Sequence, residues 1–360
     1  MSWRFGEKTR EFLLREWLLT AVALGVLSTS IHLRRLPLYS RHDFEVLFLL
    51  FGFLVLIKGL ERNDFFAALA VRLSEGRAAG YKLIWAVFFL SMVVTNDVAL
   101  LVGVPLALKL PLERKGLLVI FLALAANAGS AFTPFGNPQN IFIYWYYGLK
   151  PLVFLKTIAP FSLGMSFVLG VISAFFFLKK AEAPKTRIVP GPGASIFVLA
   201  LLVFLLVVLK ILPFWVALIV VGAAVLFEPE VLRVDYTLIL IFFFFFGFTD
   251  NLMAMLEFRF TDPNRVFLGA AITSQFISNV PAALLFSDFT PCWKALLWGV
   301  NVGGFGSLVS SLANLIAYRL YLKSLPEGNR FLLSFHLWGY LFFLLGMGLY
   351  FLWRSILPYF

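Results

Sequence analysis

The stretch Asn127-Ala-Gly-Ser-Ala-Phe-Thr-Pro-Phe-Gly-Asn-Pro-Gln-Asn140 interrupts an otherwise apolar, helical sequence. Pro134 and Pro138 each remove a backbone donor and crowd the preceding turn. Gly129 and Gly136 loosen the chain further. Asn, Gln, Ser and Thr side chains stand where lipid demands apolar ones. Each unsatisfied backbone group in hydrocarbon costs several kcal/mol, so broken polar backbone persists there only when buried in protein or lining a watery cavity. A binding site is therefore expected at this break.

The surrounding composition sets the class. The chain of 360 residues is 61% hydrophobic and 14% charged, with a mean hydropathy of +0.92. Several runs approach the ~20 apolar residues that span a bilayer, which predicts an integral membrane protein with one membrane domain. The net charge of +11 then reads as basic residues in cytoplasmic loops, not as a nucleic-acid surface. A single cysteine, Cys292, excludes a disulfide framework. His32, His42 and His336 are scattered and form no metal set. Met1 to Glu16 shows no signal-peptide pattern.

Spans are expected at about 17–31 and 44–57, followed by a charged segment, 61–80, with Phe65, Phe66, Leu69, Val71 and Leu73 at the spacing of an interfacial helix or else a plain loop. The run 82–110 is interrupted at Thr95-Asn96-Asp97 and fits a re-entrant hairpin, each arm being too short to cross alone. A broken helix over 116–147 and a span over 152–178 follow, then a Pro-rich linker, 181–193. After it come spans at 196–209, 214–227 and 236–256, a second interrupted segment, 266–289, broken at Ser278-Asn279-Val280-Pro281, a second broken helix, 295–321, and a last span, 332–352.

The halves, 1–180 and 194–360, repeat. Advancing by 174 residues carries Asn127 onto Asn301, Thr133 onto Ser307, Asn140 onto Asn314 and Tyr144 onto Tyr318. Paired broken segments in two halves are the strongest sequence pointer to a secondary-transporter site. With the N-terminus inside and nine crossings, 20 of the 30 Lys and Arg fall inside, which predicts N-in, C-out topology and makes the repeats inverted. The expected fold is an all-α polytopic membrane protein, an inverted-repeat secondary transporter with two re-entrant hairpins and two broken transmembrane helices.

The candidate site draws on four segments: Thr95, Asn96 and Asp97; Asn127, Thr133, Gly136, Asn137 and Asn140; Ser278, Asn279 and Val280; and Asn301, Gly306, Ser307 and Asn314. At each tip a new half-helix presents N–H groups and partial positive charge to an anion, while Asn or Ser oxygens beside it can hold Na⁺. The bland alternative is that these polar residues only join helices. Asp97 is a carboxylate near mid-membrane, a position used for proton or cation relays; capping its own helix arm is the competing role. Asp250 reads as a boundary residue, and Asp288 as the outer end of the second hairpin.

Thr95-Asn-Asp-Val-Ala-Leu-Leu, Thr133-Pro-Phe-Gly-Asn-Pro-Gln-Asn140, Ser278-Asn-Val-Pro-Ala-Ala and Asn301-Val-Gly-Gly-Phe-Gly with Ser311-Leu-Ala-Asn-Leu-Ile resemble the ion transporter superfamily. This group holds ArsB/NhaD permeases, citrate-transporter-like proteins and divalent anion/sodium symporters; the likeness is greatest to prokaryotic permeases with the Gly-Asn-Pro-Gln-Asn string. The resemblance implies a scaffold domain, a transport domain, elevator-type alternating access and, usually, a homodimer. Divalent anion symporters carry Ser-Asn-Thr at both tips for Na⁺ and substrate carboxylate. Here the Asn positions match but the final Thr is Asp97 in one tip and Val280 in the other, which removes donors for a dicarboxylate. The expected function is a permease moving a small inorganic or carboxylate anion across the cytoplasmic membrane with H⁺ or Na⁺, the alternative being an NhaD-like cation/proton antiporter. A channel is disfavoured by two occluding hairpins, an intramembrane enzyme by the absence of a nucleophile–base set, and ATP drive by the absence of a phosphate-binding loop.

Overall fold

The computed structural model describes residues 16–178, 182–183, 188–256, 258–325 and 328–357. The expectations for Met1 to Arg15 and for residues 181 and 184–187 of the 181–193 linker fall outside these residues.

Sixteen α-helices make up the described chain. The first is α1 (Trp17–Leu33), followed by α2 (Arg41–Arg62), which a reciprocal box starts: Ser40 Oγ accepts from Asp43 N–H, and the Asp43 carboxylate accepts from Ser40 N–H. The short α3 (Phe65–Ser74) follows, with Phe66, Ala70 and Val71 buried against protein. Next come α4 (Ala79–Val93), α5 (Asn96–Lys109), α6 (Lys115–Ser130), α7 (Pro138–Tyr146) and α8 (Pro151–Phe177). The second part holds α9 (Ala194–Val208), α10 (Trp215–Phe227), α11 (Thr237–Met255), α12 (Pro263–Ile277), α13 (Asn279–Ser287), α14 (Trp293–Gly303), α15 (Leu312–Ser324) and α16 (Gly328–Ile356). Three of these helices, α8, α11 and α16, are long and apolar enough to cross a bilayer by themselves.

One detail departs from the all-α expectation. Gly76–Arg77 pairs antiparallel with Glu182–Ala183 as two very short strands, β1 and β2. Part of the linker is thereby tied back to the loop before α4.

Both interrupted runs are pairs of helices packed side by side. α4 and α5 meet around a break at Val94-Thr95, and α12 and α13 around Ser278 alone. The arms of the first pair have 15 and 14 residues, about 22 and 21 Å of helix, longer than the dozen residues expected. The broken helices pack beneath them, α6 on α4 and α5, and α14 on α12 and α13. The halves also interlock, since α5 packs on α15 and α13 packs on α7. Alongside, α1 runs against α11, and α2 against α9, α10 and α11.

The opening stretch is helical for longer than its composition indicates. α6 continues through Asn127-Ala-Gly-Ser130, and α7 already starts at Pro138, where a missing N–H costs nothing. The irregular backbone is only 131–137. Gly129 does not loosen the chain. A Cβ there would lie 2.1 Å from the Phe88 carbonyl oxygen, so glycine is what lets α6 approach α4. Gly303 does the same for α14 against α12, where a Cβ would meet the Ser274 side chain at 2.5 Å.

Candidate functional site

The two breaks are held by one network of buried asparagines. Asn127 Nδ2 donates to Asn314 Oδ1 at 2.9 Å, and 174 positions on, Asn301 Nδ2 donates to Asn140 Oδ1 at 2.9 Å. Asn137 Nδ2 donates to Asn301 Oδ1 at 3.2 Å, while Ser311 Oγ, its counterpart, donates to Asn127 Oδ1 at 3.2 Å. The remaining amide protons close the breaks from within. Asn140 Nδ2 reaches the carbonyls of Ser130, Ala131 and Thr133. Asn314 Nδ2 reaches those of Gly304 and Ser307. Each half therefore satisfies its own open backbone and crosses to the other half, as buried polar groups require.

The packed pairs are pinned to the breaks in matching ways. Thr133 Oγ1 donates to the Met92 carbonyl at 2.6 Å, and Ser307 Oγ donates to the Gln275 carbonyl at 2.9 Å. Met92 and Gln275 each lie three residues before the tip. The second half adds contacts that the first lacks. Gln275 Nε2 donates to the carbonyls of Gly303 and Phe305, and its Oε1 accepts from Ser307 N–H. Gly306, at φ 95°, leaves the room this side chain fills. Gln275 was not anticipated from sequence; its signal is a lone Gln inside an apolar helix arm.

Thr95, Asn127, Thr133, Gly136, Asn137, Asn140, Asn301, Gly306, Ser307 and Asn314 thus form a supporting layer and do not line the cavity. Asn96, Asp97, Ser278, Asn279 and Val280 do line it: both tips face one cavity of about 200 Å³. Gln139, Ser311, Thr237, Asp235 and Arg319 share that lining without having been singled out in the sequence. The start of α1 and the start of α11 complete its wall.

The tips differ chemically. At the first, Asn96 is committed to protein: Nδ2 donates to Asn127 Oδ1 at 3.2 Å, its N–H to the Gly136 carbonyl, and its Oδ1 accepts from Asp97 N–H. At the second, no protein acceptor takes the N–H of Asn279 or Val280, or Asn279 Nδ2, among the described residues. The open helix N-terminus is therefore that of α13. Ser278 stands at φ 77°, ψ 158°, a region occupied almost only by glycine and costing about 1–3 kcal/mol.

Asp97 does not cap its helix; α5 has no side-chain cap. Its Oδ1 is buried with no hydrogen-bond partner in the protein. Buried polar oxygens are ordinarily hydrogen-bonded, which makes this one a candidate acceptor. The other acids are occupied. Asp250 pairs with Arg35 at 2.7 Å and accepts from Leu38 N–H, so it joins α11 to the α1–α2 loop. Asp288 accepts from the Tyr146 hydroxyl, at the end of α13 away from the tip.

Two comparisons bear on what this arrangement belongs to. The chain is 35% identical over 321 residues to the inner membrane protein YbiR of Escherichia coli (strain K12), covering 82% of this chain and 84% of that protein. It is 31% identical over 327 residues to the uncharacterized transporter MJ0456 of Methanocaldococcus jannaschii, covering 87% and 91%. The citrate transporter family profile matches residues 12–290, a stretch that takes in both tips and the first break. An integral membrane protein of broken helices, similar along most of its length to an inner membrane protein and to an uncharacterized transporter, this chain belongs to the citrate transporter family.

Proposed function

We propose that the protein moves a small anion or oxyanion across the cytoplasmic membrane, coupled to H⁺ or Na⁺, by elevator-type alternating access. The observation that carries it is the cavity shared by both tips, with the open α13 N-terminus on one side and the unpartnered Asp97 oxygen on the other. An anion is favoured at the first and a coupling proton or cation at the second. The paired hydrogen bonds across the two breaks support an inverted repeat with re-entrant tips, as the charge bias of the loops does. With the N-terminus inside, the cavity opens toward the cytoplasm, since residues that begin α1 and α11 line it. In this reading α1, α2, α9, α10 and α11 form the scaffold and the interlocked remainder moves, in a homodimer.

Thermal stabilisation of the purified protein against carboxylates and oxyanions, with and without Na⁺ and across pH, tests it, because a ligand of the folded state raises stability with the logarithm of its concentration over Kd. Stabilisation by an anion, strengthened by Na⁺ or by acid, is the expected outcome. A cation/proton antiporter is the second reading, favoured by Asp235 and Glu16 joining Asp97 in the lining. Stabilisation by Na⁺ or Li⁺ alone, lost at low pH and with every anion silent, would select it.

A further inference from the structure

Among the described residues, Arg319 is the one cationic side chain that lines the cavity, which the carboxylates of Asp97, Asp235 and Glu16 also line. Its position follows from α15. Ser311, Leu312, Leu315 and Arg319 recur at helical spacing and line the cavity, while Asn314, Ala317 and Tyr321 on the opposite side are buried. Side chains on a helix lean toward its N-terminus, which for Arg319 is the direction of Ser311, and Arg319 lines the same cavity as both tips. Arg35, Arg41 and Arg62 each meet a carboxylate. Arg319 is exposed and forms no ion pair among the described residues. A guanidinium is always charged and presents a planar fork that matches a carboxylate or oxyanion.

The same lining sets an upper limit on charge. While Asp97 is deprotonated, its Oδ1 carries negative charge with no protein hydrogen-bond partner. A second negative group on a ligand already held at Arg319 meets that carboxylate within one small cavity, where like charges repel. We propose, building on anion transport as the function, that Arg319 selects the substrate's charge: it holds one carboxylate or oxyanion group, and Asp97 disfavours a second. Singly charged anions are then preferred over multiply charged ones of similar size, with the one anionic group shared between Arg319 and the open α13 N-terminus.

The test titrates monomethyl succinate, succinate, citrate and inorganic phosphate against the thermal stability of the full chain. In the wild type, monomethyl succinate is expected to bind about tenfold more tightly than succinate. R319Q should weaken binding of the stabilising anion by about fivefold, the upper end for a solvent-exposed ion pair, with R319K intermediate. Asp97→Asn should narrow the gap between succinate and its monoester. The unliganded melting temperature of R319Q should match the wild type, because Arg319 is exposed. Equal anion affinity in R319Q and wild type overturns the role of Arg319 while leaving anion transport standing, as does a wild type that prefers the dianion. Silence of the wild type toward all four anions overturns anion transport and, with it, this assignment.

Discussion

Asp97 and Ser278 occupy the two tips but are unusual for opposite reasons. Asp97 keeps a buried oxygen without a partner, and Ser278 keeps a backbone conformation that suits glycine. Neither state persists unless the surroundings enforce it. Asp97→Asn should retain anion-induced stabilisation but lose proton-driven uptake, leaving residual flux flat across pH in proteoliposomes. Uptake that keeps its wild-type pH dependence in that variant would exclude Asp97 as the coupling site. Ser278→Gly relieves the strained φ and should raise stability by roughly 1 kcal/mol while lowering transport, because the tip is no longer held in one conformation. Ser278→Ala keeps the strain and removes only the hydroxyl. Comparing melting temperature and uptake in the two variants separates backbone from side chain. The location of Asp97 at an interruption was legible from Thr95-Asn96-Asp97 in an apolar run. The strain at Ser278 was not, because a dihedral angle depends on what surrounds the residue.

At the level of helices, close approach and satisfied breaks matter most. Gly129→Ala places a Cβ against the Phe88 backbone carbonyl, which cannot swing away, whereas Gly303→Ala meets mainly the Ser274 side chain. Overpacking of this kind costs about 1–3 kcal/mol, and the melting temperature should fall further for Gly129→Ala than for Gly303→Ala. Gln275→Leu leaves the Gly303 and Phe305 carbonyls and the Ser307 N–H without a partner they now have. Each buried group so exposed costs about 1–3 kcal/mol. The variant should melt earlier and transport less, and a Gln275→Leu protein matching the wild type in both would show the second break to be self-supporting. The offset of 174 residues announced that the breaks correspond. It did not announce that the asparagines bond across to the opposite half, nor that α6 runs on through Ser130. Pro134 and Gly136 mark the break, but a helix ends where its hydrogen bonds are replaced, and Asn140 supplies the replacements from the Ser130 carbonyl onward.

For the molecule as a whole, orientation is the open prediction. The bias of Lys and Arg toward alternate loops places the α1–α2 loop outside and the α10–α11 loop inside. In a Cys292→Ser background, Leu36→Cys, in an exposed loop position, should react with a membrane-impermeant maleimide in intact cells. Arg233→Cys, also exposed, should react only in inverted vesicles. The reverse pattern would put the cavity on the outer side and turn the proposed conformation outward-facing. By itself the sequence determined the class, the helical character and the polar interruptions, because apolar periodicity, Pro and Gly act locally and lipid tolerates few exceptions. Only the tertiary structure decided which polar residues meet the cavity and which brace the breaks. That division depends on which half each amide faces, and residues 174 positions apart are brought into one network only when α6 packs on α15 and α14 on α7. Arg319 and Gln275 stayed hidden for the same reason: each is an ordinary side chain on its own helix, and its role comes from the helix opposite.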